Sequence, residues 1–141
     1  LFLGDDMLPP ANGASLLLSS MENPPGGLEI PAVSGLYNMK TLPKQIVAWR
    51  RDGPIVEGKT FRTDRPSLVQ VDGCGLDFCL IDTGYLKPVD KPRFKIVEEQ
   101  NSICTEDVYF WNRFRLATGL APFVDTSCRV GHYDARTETI Y

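Results

Sequence analysis

Short apolar runs alternate along the chain with polar segments punctuated by glycine and proline, and one stretch carries a full helical period. The chain opens on Leu1, Phe2 and Leu3, a triplet of the kind found in buried strands of parallel sheets. It then breaks into Gly4-Asp5-Asp6 and reaches Pro9-Pro10, which ends any regular element. Gly and Asp are ordinary turn residues. Acids just past the carboxyl end of a strand also lie where open α/β sheets bind ligands. The decapeptide alone leaves both readings open. Beyond Pro10, Ala14, Leu17, Leu18 and Met21 recur at helical spacing until "NPPGG" stops the helix.

Residues 30–37 read as a strand, with Gly35 marking a close approach or a bend, and "KQIVAWR" as a second short one. "RDGPIVEGKTFRTDRP" reads as a charged surface loop with room for a small hairpin, and as a candidate for mobility. In "SLVQVDGCGLDFCLID", Val69 and Val71, then Phe78 and Leu80, alternate on either side of a glycine-interrupted centre. "TGYLKPVDKPRFKI" predicts a turn, a short helix and an extended piece. The best helix is "TEDVYFWNRFRLATGL": Thr105 is a natural N-cap, and Glu106 and Asp107 oppose the dipole in the first turn. Phe110, Phe114 and Ala117 form its apolar stripe, with Trp111 beside it, and Gly119 is a natural stop. A strand over 123–125, a turn and an extended piece ending at Gly131-His132 follow.

This pattern predicts an α/β domain with the strands at 1–3, 69–71 and 78–81 as neighbours and the 105–118 helix packed on one face. The length of 141 residues and a hydrophobic content of 43% suit a single domain covering 1–141. A net charge of −3 argues against a nucleic-acid or anionic-membrane surface. The longest apolar run, "ASLLL", falls far short of a membrane span. Cys74, Cys79, Cys104 and Cys128 form no CxxC pair and have one histidine for company. A zinc or redox domain is therefore a poor reading, and free thiols in a reducing, cytoplasmic setting a better one, peripheral membrane attachment being left open.

Three weak signals share this frame: Asp5-Asp6 after a strand, Glu106-Asp107 at a helix start, and the single histidine, His132, after a strand. In order and setting they resemble the GT-A glycosyltransferases, in particular the large family-2-like group. There an apolar strand runs into a DxD motif, often as "LFLDDDM.PP", which "LFLGDDMLPP" matches except that Gly4 replaces the first acid. "VDGCGLDFCLI" echoes the family's "VDAVGTGFMLI", and "KPRFKI" stands where the family has "PWF". "TEDVYFWNRFRLATG" is similar to its "GEDVxFCxRxRxxG" helix, and "VDTSCRVGH" to its "VDTSxxVGH" ending. The resemblance spans essentially the whole chain.

The resemblance implies a metal-dependent transfer of sugar from a nucleotide-sugar donor to the hydroxyl of a glycan, lipid or protein acceptor. It implies that Asp6 and His132 hold one divalent ion, Mn²⁺ or Mg²⁺, which neutralises the departing diphosphate. With Gly4 in place of the family's first acid, the donor contact of that acid is lost or shifted to Asp5. Asp107 becomes the general base that deprotonates the acceptor, and Glu106 and Trp111 the acceptor-side residues. Each signal also has a plain structural reading: turn acids, helix-capping acids and an ordinary histidine. In the GT-A fold a nucleotide-binding half precedes the DxD strand. The expectation is therefore the metal- and acceptor-side part of such a domain, with a homo-oligomer or a complementing N-terminal half covering the first strand. The competing expectation is a catalytically incompetent module that keeps the fold and binds a glycan or a protein.

Overall fold

The computed structural model describes residues 1–42, 44–50, 53–54, 67–99 and 102–141. In chain order, β1 (Phe2–Leu3) and β2 (Met7–Leu8) flank the acidic turn, and helix α1 (Gly13–Glu22) follows, then β3 (Ala32–Leu36), β4 (Ala48–Arg50) and β5 (Gly53–Pro54). The glycine-interrupted centre supplies β6 (Leu68–Gln70), β7 (Gly73–Cys74) and β8 (Phe78–Ile81). Next come β9 (Val97–Glu99), β10 (Ser102–Cys104) and helix α2 (Glu106–Thr118). β11 (Phe123–Arg129), β12 (Gly131–Asp134) and β13 (Thr139–Ile140) complete the order.

The main sheet has the order β1-β8-β3-β11-β6. β3 and β11 run parallel and the other pairs antiparallel, so the domain is α/β with a mixed sheet. Period-two alternation divides its side chains between two cores. Val33, Phe78 and Phe123 pack on the α1 side with Leu17, whereas Ala32, Cys79, Ile81 and Val124 pack with Phe110, Trp111 and Phe114 of α2. Each helix thus covers one face of the sheet. α2 ends as its sequence predicts, with Gly119 at φ 72°.

Several expectations change. The opening triplet is not a buried parallel strand: β1 is an edge strand paired antiparallel to β8, and Leu1, Phe2 and Leu3 are exposed. β1 and β8 are neighbours as expected, but β6 lies at the opposite edge, paired with β11. The reason is the glycine-rich centre, which splits the run into strands of two sheets, β7 joining β4. A Cβ on Gly73 would stand 2.2 Å from the Trp49 ring, and one on Gly75 2.0 Å from the Tyr37 hydroxyl. Only glycine lets the backbone pass this close.

The inward line of α1 is rotated by one position from the predicted stripe. Gly13 and Leu17 are buried, while Ala14 and Leu18 are exposed. In α2, Ala117 is exposed and Trp111 takes its place in the buried stripe. Of the predicted surface loop at 51–66, Gly53–Pro54 pairs with Trp49 and Arg50 as half of a small hairpin. The rest of that loop lies outside the described residues.

Candidate functional site

Asp6 and His132 are 126 positions apart in sequence and meet through the pairing of two short strands. β2 and β12 run antiparallel with His132 opposite Met7, and the Tyr133 amide donates to the Asp6 carbonyl at 2.9 Å. This register brings His132 Nε2 to 3.4 Å from Asp6 Oδ2. The imidazole is held from behind: Nδ1 lies 2.8 Å from the Asn38 carbonyl oxygen, and the Tyr37 ring meets it edge-on at 5.8 Å. In the neutral tautomer with its hydrogen on Nδ1, donated to that carbonyl, the imidazole turns its Nε2 lone pair towards Asp6, and in the charged form both ring nitrogens donate.

Lys40, which no sequence pattern singled out, also reaches this point. Its ammonium donates to Asp6 Oδ2 and forms an ion pair with it. That hydrogen bond holds the Asp6 carboxyl below its ordinary range, against an opposing effect of burial, with the charges of Lys40 and His132 assisting. The Lys40 ammonium is correspondingly raised by Asp6. The depressed Asp6 contributes stability present above its unfolded-state value and lost as pH falls through its lower folded value. The raised Lys40 contributes below its unfolded-state value and loses that contribution as pH rises through the higher folded one. The pair is therefore intact at neutral pH. Because the ammonium competes with any other cation for Oδ2, Lys40→Gln is expected to tighten Mn²⁺ binding several-fold in a titration followed by electron paramagnetic resonance. Weaker Mn²⁺ binding would assign Lys40 a supporting role instead.

The second candidate centre is the start of α2. Thr105 lies at the N-cap, but its hydroxyl donates to Asp107 Oδ1 and makes no cap bond to the helix backbone. The Val108 amide donates to the same oxygen at 2.8 Å. Asp107 is half-buried, anchored through Oδ1, and its Oδ2 has no hydrogen-bond partner among the described residues. Glu106 beside it is exposed, as is Asp5 in the turn after β1.

Trp111 does not belong with these surface acids. It is 0% exposed, stacked edge-on against Phe110 and Phe114, and its Nε1 donates to the Cys74 carbonyl at 2.5 Å. A ring with both faces covered cannot stack on an acceptor, so Trp111 is a core residue that docks α2 on β7. The helical period that places it with Asp107 is the period of the buried face.

Asp77, at the head of β8, was overlooked in the sequence although an acid in "GLDFCLI" interrupts an apolar run. The surrounding protein raises its carboxyl above the ordinary range, the charges of Asp6, Asp107 and Glu106 push the same way, and that of His132 opposes them. The two candidate centres therefore both lie within electrostatic reach of one side chain.

A divalent ion fits the donor set at Asp6 and His132. One carboxylate and one imidazole suit Mn²⁺ better than Mg²⁺, which prefers oxygen ligands, and the Lys40 ammonium shares the Asp6 oxygen that such an ion would use. No group of three or more His, Cys, Asp or Glu side chains able to hold a metal occurs among the described residues. Cys74, Cys79 and Cys128 are buried free thiols, and Cys104 is partly exposed. Burial pushes the Cys128 thiol up to about 11, as expected of a structural cysteine. Among the described residues no helix is long and apolar enough to cross a membrane.

No protein-family model matches the chain, and no curated protein matches it. Among solved structures it is similar in fold to A197 from STIV, with a TM-score of 0.63 and 22% sequence identity. The match covers 99% of this chain and 62% of that one, so the chain spans somewhat under two thirds of A197, and what the two share is a mixed α/β architecture.

Proposed function

We propose that the chain is the metal- and acceptor-side part of a GT-A glycosyltransferase, transferring sugar from a nucleotide-sugar donor to an acceptor hydroxyl. The observation that supports this best is the meeting of Asp6 with His132 at 3.4 Å, from opposite ends of the sequence. A divalent ion bound there supplies charge neutralisation for the leaving diphosphate. Asp6 and His132 hold it, with the imidazole oriented by the Asn38 carbonyl. Lys40 is placed to leave Asp6 and pair with the diphosphate once the nucleotide arrives. Asp107 takes the acceptor proton on Oδ2, which has no hydrogen-bond partner among the described residues, while Oδ1 stays tied to Thr105 and Val108. In this scheme Asp5 faces the donor and Glu106 the acceptor.

The test is Mn²⁺-dependent turnover of a panel of nucleoside diphosphate sugars, with release of the nucleoside diphosphate as readout. Release that requires Mn²⁺ and is lost on chelation supports the reading. No release from any donor, together with no Mn²⁺-dependent nucleotide binding, would overturn it. A second reading, a non-catalytic module of the same fold, draws on two observations: Gly4 stands where the resemblance expects an acid, and Lys40 already neutralises Asp6. That reading expects glycan or protein binding without any turnover.

A further inference from the structure

We propose that this chain associates with copies of itself head to tail, the basic segment 91–96 of one copy seating in an acid-lined apolar groove beside α1 of the next. The contact is independent of the glycosyltransferase reading above.

The groove has a volume of about 570 Å³ and lies where the second half of α1 meets the residues before β3 and the turn after β8. That volume is in the range of pockets that take apolar groups. Leu18, Met21 and Leu28 line it, and Leu18 and Leu28 remain 48% and 46% exposed. Glu22, Glu29 and Asp82 line it as well, and no Lys or Arg does so among the described residues. Two of these acids are fixed in place. Glu29 accepts from the Tyr85 hydroxyl at 2.6 Å, and Asp82 accepts from the Gly84 amide at 2.8 Å. An occupant that suits this groove carries apolar side chains flanked by positive charge.

The chain itself displays such a segment. Residues 91–96 read "KPRFKI", three cations around two apolar side chains, of which Phe94 is 40% exposed and Ile96 59%. The apolar surface extends further, since the Phe2 ring meets Phe94 edge-on at 5.8 Å and joins it to the exposed β1 triplet. Contiguous exposed apolar surface of this kind marks a contact with another molecule. The segment is held away from its own groove. Phe94 stacks on Phe110 of α2 at 4.9 Å, whereas the groove borders α1, which covers the opposite face of the sheet. The complementary surface is therefore offered by a second copy, and the contact joins two different patches, which makes it heterologous. It leaves the candidate site open: Asp82 of the groove follows the end of β8, whereas Asp6 lies beyond the head of that strand, where Phe78 pairs with Leu3.

Sedimentation velocity over a concentration series, at low and at high salt, tests this. Wild type is expected to gain mass with concentration, and to associate more weakly at high salt because opposite charges meet in the contact. Ile96→Asp on the segment and Leu28→Asp in the groove replace exposed side chains, so both variants are expected to melt as wild type does. Each should weaken self-association by about 10-fold or more, the loss expected of an apolar anchor at the centre of a contact. Mixed together, the two variants should form a 1:1 complex that grows no further, because the Ile96→Asp protein keeps its groove and the Leu28→Asp protein keeps its segment. A wild type that stays monomeric throughout the series would overturn the proposal and leave the groove to a different partner. Association that salt does not weaken, or that survives in either variant alone, would overturn it too, as would a mixture that stays monomeric.

Discussion

Asp107→Asn is expected to reduce sugar transfer by about 10²–10⁴-fold while leaving Mn²⁺ and nucleotide binding nearly unchanged. The structure makes this a discriminating substitution because the two carboxylate oxygens have different surroundings. Oδ1 accepts from the Thr105 hydroxyl and the Val108 amide, and Oδ2 has no partner among the described residues. Asparagine can present its carbonyl oxygen to Thr105 and Val108 and so keep the start of α2 in place. Its amide nitrogen then replaces Oδ2, and a group able to take a proton becomes one that cannot. The expected loss corresponds to roughly 3–5 kcal/mol in the barrier. Rates of nucleotide release with and without acceptor, measured beside a thermal melt, check it. Full transfer by a folded Asp107→Asn would return Asp107 to the role of a helix-start acid.

Asp6→Asn and His132→Ala are each expected to weaken Mn²⁺ binding by about 10- to 100-fold or more, since even residues behind the ligands have effects of that size. Asp6→Asn is the cleaner variant: the main-chain bond from Tyr133 to the Asp6 carbonyl survives it, and the change falls on the cation site and the Lys40 ion pair. His132→Ala also removes the contacts to Asn38 and Tyr37, so its melting temperature must be read beside its affinity. Two ligands of one ion act as a unit, and the double variant should lose little more than either single one. Calorimetric titration of Mn²⁺ into all four proteins tests this. Additive losses, or equal heats for wild type and Asp6→Asn, would take the pair out of a shared site.

Much of the secondary structure was legible because its causes are local. The cap residue, first-turn acids, aromatic spacing and terminal glycine of α2 all lie within its own residues, and the helix ends at Gly119 in the left-handed conformation. The strands at β3, β8 and β11 follow from short apolar runs. Boundaries were less secure where pairing decides them: the predicted strand at 123–125 extends to Arg129, because the chain continues along β3 after a register shift. The inward face of α1 was misjudged by one position because a small residue, Gly13, lies against Phe78, a contact that hydrophobicity alone does not reveal. Trp111 was misjudged for a related reason, since burial and acceptor stacking both demand a large aromatic, and only packing separates them.

What the sequence by itself determined is the kind of elements this chain forms, an α/β alternation with one well-capped helix, together with the acids and the single histidine from which a site is built. Which of these residues meet was decided by the tertiary structure alone. Asp6 and His132 come together through the register of two short strands, and Lys40 arrives from the segment after β3 with no motif to announce it. The Asp77 carbonyl accepts from the Gly4 amide and its own amide donates to the Tyr37 hydroxyl, contacts that likewise join distant parts of the sequence. The physical reason is one of range. Caps, turns and periodicity act over a few residues and are written in local order, whereas the meeting of positions 6, 40 and 132 depends on strand register and close packing, which exist only once the whole sheet has formed.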